Sequence, residues 1–96
     1  MKYCSTRGGV SDLNFDDAVM MGLAEDGGLL IPQELPCIKD KLKQWRSLNY
    51  QELCLEVLDL FVGDSFDRSE LKAMIHQSYR SFRKSSITPV VPVSSI

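Results

Sequence analysis

The sequence predicts an α+β fold: a small, mostly helical domain with three main helices, a short helix, and a short β-strand pair at one edge. Three observations predict it. Apolar residues recur at helical spacing after Asn49 and after Asp67, each a good N-cap residue. Two short segments favouring extended structure, 2–6 and 29–31, are bounded by Gly8-Gly9, by Asp26-Gly27-Gly28 and by Pro32. The chain has 96 residues, enough for one modest core.

The elements follow in order. Lys2 to Thr6 reads as a strand that Gly8-Gly9 stops, followed by a polar loop to Leu13. The first helix begins at Asn14, with Asp16 and Asp17 placing negative charge in its first turn. Phe15, Ala18, Val19 and Gly22 share one face, and the helix fails by Ala24 because Asp26-Gly27-Gly28 is turn chemistry. Leu29-Leu30-Ile31 forms a short strand able to pair with 2–6, and Pro32 to Pro36 is a rigid connector. A short helix from Asp40 to Arg46 sets Leu42 and Trp45 on one side.

The second full helix starts at Asn49, with Glu52 at capping-box spacing, and stops at Gly63. Tyr50, Leu53, Cys54, Val57, Leu58 and Phe61 form its stripe; Leu55 and Leu60 lie off it, which predicts cover on more than one side. The third repeats this grammar with Asp67 as cap, Glu70 at N3, and Leu71, Met74, Ile75, Tyr79 and Phe82 on one face. Arg80, Arg83 and Lys84 close it with charge that complements the helix dipole. From Ser85 onward the chain is extended and apolar, with Pro89 and Pro92 opposing a central strand.

Composition narrows the function. The formal net charge is −2, without the basic stripe of a nucleic-acid binder. Cys4, Cys37 and Cys54 fit neither a disulfide framework nor a metal motif, and Cys54 reads as a small core hydrophobe. No signal-like or membrane-spanning apolar run is visible, so the expected location is cytoplasmic, or an organelle in a eukaryote. His76 has no metal-spaced neighbours and reads as solvated or packed.

The informative combination is Ser5-Thr6-Arg7-Gly8, then Asn14-Phe15-Asp16-Asp17-Ala18, then the run from Gly22 to Pro32. It resembles the opening of threonine synthases and threonine synthase-like proteins: Tyr-x-Ser-Thr-Arg, a Phe-x-x-Ala helix, and Gly-Leu-Ala-Pro-Asp-Gly-Gly-Leu-x-x-Pro, with Glu25 here in place of the usual Pro. Trp45, Leu48, Tyr50 and Leu53 resemble the entry to the family's next helix, and Ile87-Thr88-Pro89-Val90 resembles the link into its catalytic part. The resemblance implies a domain at 1–84 and, at 85–96, a linker or first strand towards a catalytic domain binding pyridoxal phosphate. It implies a parent lyase acting on O-phosphohomoserine, or a related phospho-lyase. The family's Schiff-base lysine lies in a Phe-Lys-Asp-type motif that none of Lys2, Lys39, Lys41, Lys43, Lys72 and Lys84 occupies. The chain itself is therefore expected to be non-catalytic and to hold no cofactor.

The candidate contact residues are Arg7, Asp26, Gly27 and Gly28. Two glycines without a P-loop lysine read first as a bend, with Asp26 capping its own turn, and second as a phosphate contact. Arg7 reads as a structural group, an interdomain ion pair or an anion binder. Ser5 and Thr6 read as local hydrogen bonders, and Met20 and Met21 as core contacts or a surface for a partner domain. The expected partner is the catalytic part of the same parent chain, contacted through an exposed apolar patch made by the tail and one helix face. The alternatives are a stand-alone helical interaction module and an inactive relative that binds phosphorylated small molecules.

Overall fold

A computed structural model describes residues 1–82 and 86–94. Strand β1, Tyr3–Ser5, precedes helix α1, Phe15–Met21, and strand β2, Leu30–Pro32. A 3₁₀ turn at Lys39–Lys41 leads into the short helix α2, Leu42–Trp45. Helix α3, Tyr50–Val62, a 3₁₀ turn at Gly63–Ser65, and helix α4, Arg68–Tyr79, complete the described elements. This is the expected α+β architecture.

The two strands pair antiparallel, with Tyr3 opposite Pro32, Cys4 opposite Ile31 and Ser5 opposite Leu30. Strand alternation turns Tyr3 and Ser5 inward, and both are buried. The Tyr3 hydroxyl donates to the Phe61 carbonyl, fastening the strand pair to α3, and the Tyr3 ring meets the Phe15 ring at 6.0 Å. The core lies mainly between α3 and α4, where Leu55, Val62, Leu71 and Ile75 are buried and Phe15, Cys54, Leu58, Phe66 and Tyr79 pack against them. Cys54 thus takes the small-hydrophobe place the sequence assigns it.

Helix α3 has the strongest local reason to form. The Asn49 side chain accepts from the Glu52 N–H at 2.9 Å, while the Glu52 carboxylate accepts from the Asn49 N–H at 3.3 Å. This reciprocal pair satisfies N-terminal groups that have no intrahelical partner. Gly63 ends the helix at φ +65°. Leu55, off the sequence stripe, is one of its two buried residues, and the surrounding positions are half-buried. The helix is indeed covered on more than one side.

Several local expectations are corrected. Asn14 stands at the N-cap of α1 without capping it, because its side-chain oxygen accepts instead from the Lys2 ammonium at 2.6 Å. Val19, expected on the core face, is 59% exposed; Ala18 and Phe15 carry that contact. In α2 only Trp45 is buried, and Leu42 faces outward. Asp67 has N-cap backbone geometry but makes no side-chain cap bond, so α4 lacks the capping box of α3. Arg80 occupies the C-cap of α4, while Arg83, Lys84 and Ser85 lie outside the described residues. Residues 86–94 form no regular element; Ser86, Ile87 and Thr88 lie beside Tyr50, Tyr79 and Phe82.

Candidate functional site

The bend after α1 and the loop after β1 meet around one carboxylate. The backbone turns at Asp26-Gly27-Gly28, with the Gly27 N–H donating to the Ala24 carbonyl at 2.9 Å and the Ala24 N–H to the Gly28 carbonyl at 3.1 Å. Asp26 Oδ1 accepts from the Gly28 N–H at 2.9 Å and from the Ser5 hydroxyl at 2.6 Å. Its Oδ2 accepts from the Gly9 N–H at 2.8 Å. The Ser5 oxygen in turn accepts from the Arg7 N–H at 3.1 Å. These donors hold the Asp26 carboxyl below the usual carboxylate range; the Ser5 hydroxyl contributes most, then the Gly28 amide.

Both glycines have a geometric reason to be glycine. Gly27 sits at φ +83°, and a Cβ there would lie 2.7 Å from Arg7 Nη1. A Cβ on buried Gly28 would overlap the Ser5 hydroxyl and lie 2.9 Å from Thr6 Oγ1. The guanidinium of Arg7 therefore lies across the Gly27 backbone, and its Nη1 donates to the Asp26 carbonyl at 3.1 Å. The pair extends one step beyond β1 and β2. The Thr6 N–H donates to the Leu29 carbonyl at 2.8 Å, and the Leu29 N–H to the Thr6 hydroxyl at 3.0 Å.

Arg7, Asp26, Gly27 and Gly28 are thus one constellation, although Arg7 stands 19 residues from Asp26 in sequence. The N–H groups of both glycines are engaged within the bend, and the outer part of the exposed Arg7 guanidinium is what the constellation presents to its surroundings. Sequence reading did not single out Gly9, which supplies the third donor to Asp26; its place in Gly8-Gly9 was the available signal. Ser5 and Thr6 act as local hydrogen bonders.

Other sequence candidates lie apart from the bend. His76 is exposed beside the groove of about 540 Å³ between α3 and α4, near Glu52, Glu56, Arg68 and Lys72. Arg68 pairs there with Glu56 and, at 3.4 Å, with Asp59. Among the described residues no group of three or more His, Cys, Asp or Glu side chains is arranged to hold a metal. Cys4, Cys37 and Cys54 are free thiols. No helix is long and apolar enough to cross a membrane, among the described residues.

Comparison with known proteins adds to this geometry. A family model described as the threonine synthase N terminus matches residues 2–79. Threonine synthase of Schizosaccharomyces pombe is 39% identical over 92 residues, covering 94% of this chain and 18% of that protein. Threonine synthase-like 2 of Xenopus laevis is 36% identical, covering 99% of this chain and 21% of that one. The structure of PLP-bound threonine synthase from Brucella melitensis superposes at a TM-score of 0.87 with 38% identity, covering 99% of this chain and 21% of that chain. The chain spans about a fifth of the length of these relatives.

Proposed function

The chain belongs to the threonine synthase N-terminal family, and on that premise we propose that it serves as the non-catalytic N-terminal domain of a pyridoxal-phosphate lyase of threonine synthase type. The parent reaction is the replacement in O-phosphohomoserine of phosphate by water, giving threonine and phosphate, or a related phospho-lyase reaction. The domain occupies 1–84, and 85–96 leads towards the catalytic part. The cytoplasm is its place of work.

One observation carries the reading: nearly the whole chain matches, in sequence and in fold, only about a fifth of a threonine synthase. The described residues do not fit the cofactor. Lys2, Lys39, Lys41, Lys43 and Lys72 are all exposed, and the Lys2 ammonium is given to Asn14. A Schiff-base lysine works as a free amine in an enclosed site that also cradles the cofactor phosphate. When bound elsewhere in the parent, the cofactor supplies the electron sink. This chain's own contribution is shape: Asp26 clamps the bend to the first strand, Gly27 and Gly28 let the bend close beneath Arg7, and the Arg7 guanidinium forms the contact to the catalytic part.

The test replaces the matching N-terminal segment of the S. pombe enzyme by this chain. The truncated enzyme should lack turnover of O-phosphohomoserine, the chimera should regain it, and the 96-residue chain alone should have none. A soluble, folded chimera without turnover would refute the reading.

A further inference from the structure

In the groove between α3 and α4, opposite charges face each other over an apolar floor without meeting. Leu48, Leu55 and Ile75 make the floor, the last two as buried members of the core. Glu52 and Glu56, one turn apart on α3, form one wall. Arg68, Lys72 and His76, on successive turns of α4, form the other. Glu56 pairs with Arg68. The chain turns back between the two helices at Gly63–Ser65, so one turn back along α3 and one turn on along α4 set Glu52 opposite Lys72. A further turn sets Leu48 opposite His76.

Glu52 and Lys72 nevertheless form no ion pair. The N-terminus of α3 supplies the cause. Glu52 Oε2 accepts from the Asn49 N–H at 3.3 Å, and Oε1 accepts from the Asn49 side-chain amide at 3.2 Å. The capping box thus draws the carboxylate towards Asn49 instead of across the groove. Both donors are neutral, so the negative charge stays unbalanced, and a carboxylate with about four lone-pair sites keeps acceptor capacity. On the other wall the exposed side chains of Lys72 and His76 have no hydrogen-bond or ion-pair partner among the described residues.

We propose that this groove binds a free α-amino acid with an aliphatic side chain. Its ammonium meets Glu52, its carboxylate meets Lys72 with His76 beside it, and its side chain lies on Leu48, Leu55 and Ile75. The groove, at about 540 Å³, is within the about 300–1,000 Å³ of small-molecule sites, and it has their make-up of an apolar lining with a few placed polar groups. Charge selects the occupant. A zwitterion balances both walls at once, whereas a simple anion at Lys72 faces the like charge of Glu52, and a simple cation at Glu52 faces that of Lys72. The Glu56–Arg68 pair closes one end of the groove with its own charges matched. Every group of the site belongs to this chain, so the proposal does not rest on the domain reading above.

The experiment titrates L-leucine into the isotope-labelled chain and follows its backbone amides by NMR. Leu55, Lys72 and Ile75 should shift and saturate together, while Gly8 and Gly27 stay in place. Two analogues read the charges: 4-methylpentanoate lacks the ammonium, and 3-methylbutylamine lacks the carboxylate. Each should bind about tenfold more weakly, the loss of one charge-assisted contact. Lys72→Met keeps the stem and removes the charge, and should weaken leucine binding by about tenfold. Glu52→Gln should do the same with α3 intact, because glutamine also closes a capping box. No shift up to about 10 mM leucine, where even a millimolar site is nearly filled, overturns the proposal. Analogues that bind as well as leucine, or both variants binding it unchanged, overturn it too. In the S. pombe chimera, leucine should slow acetylation of Lys72 by acetic anhydride and spare Lys43. A Lys72 that is already unreactive there without leucine shows the groove covered in the parent and overturns the site, whatever the turnover.

Discussion

Substituting Gly28 by alanine tests whether the bend is the structural clamp that its hydrogen bonds describe. Gly28 is buried, and its backbone needs no positive φ, so the effect of a methyl group is steric. The new Cβ would overlap the Ser5 hydroxyl and crowd Thr6 Oγ1 at 2.9 Å and Asp26 Oδ1 at 3.0 Å. Overpacking a filled site costs about 1–3 kcal/mol. Displacing the Ser5 hydroxyl, 5% exposed, from its acceptor leaves a buried polar group unsatisfied, at about 1–3 kcal/mol. Part of the strain relaxes by moving Ser5, so the two do not add in full, and about 3 kcal/mol is expected. For a domain of this size that lowers the melting midpoint by about 12–24 °C. Gly8→Ala is the internal control. Gly8 has φ +79° but open space around its Cβ position, so it reports backbone strain alone, about 1 kcal/mol. Urea melts followed by far-ultraviolet circular dichroism measure both. If Gly28→Ala costs no more than Gly8→Ala, the clamp is not holding the bend and the packing argument is wrong.

The depressed Asp26 pKa makes the clamp acid-sensitive: its stabilisation is present above the unfolded carboxyl pKa and lost as pH falls through the lower folded value. Urea midpoints should therefore drop below about pH 4, and Asp26→Asn should lower the neutral-pH midpoint while flattening that acid drop. Tyr79, pushed up to about 12 by its hydrogen bond with Tyr50 and then by desolvation, should ionise after a free tyrosine. Stability should fall as pH rises from about 10 towards 12, and Tyr50→Phe should move the late step of a 295 nm absorbance titration downward. On α4, Leu71→Ala should cost about 3 kcal/mol and Met74→Ala about 1, because Leu71 is 5% exposed and Met74 40%. Equal costs in urea denaturation would mean that the helix packs on a different face.

Legibility in the sequence followed the range of each interaction. Helix α3 was readable because Asn49 and Glu52 solve its N-terminus within one turn and Gly63 ends it. The short-range half of the bend was readable too: the bond from the Gly28 N–H to Asp26 spans two residues. The other half was not, since Ser5 and Gly9 reach Asp26 from 21 and 17 residues away, and only the strand register brings them there. Asn14 shows how a tertiary contact cancels a local rule: the cap signal was sound, but the Lys2 ammonium takes the oxygen. Leu55 shows the limit of periodicity, because a helix contacted from several sides has no single stripe. The bend contacts Arg7, Asp26, Gly27 and Gly28 were each visible as residue types; their convergence required the fold.

Leu29-Leu30-Ile31 is the segment where these threads join. A strand apolar on both faces is written for cover on both faces. Within the described residues the inward side, Leu30 beside Tyr3 and Ser5, is half-buried at β2 and buried at β1, while Leu29 and Ile31 remain in water. Leaving large aliphatic side chains exposed forgoes about 1.5–3 kcal/mol for each that could be fully buried. A free-standing domain gains nothing from that arrangement, and polar residues at 29 and 31 would keep the same hydrogen bonds. The clamp built from Ser5, Gly9, Asp26 and Gly28 fixes the bend, and the Thr6–Leu29 hydrogen bonds with the strand pairing fix the backbone of those outward residues. Rigid presentation of apolar side chains lowers the ordering cost of an interface before contact is made, and that is the physical use to which this bend is suited.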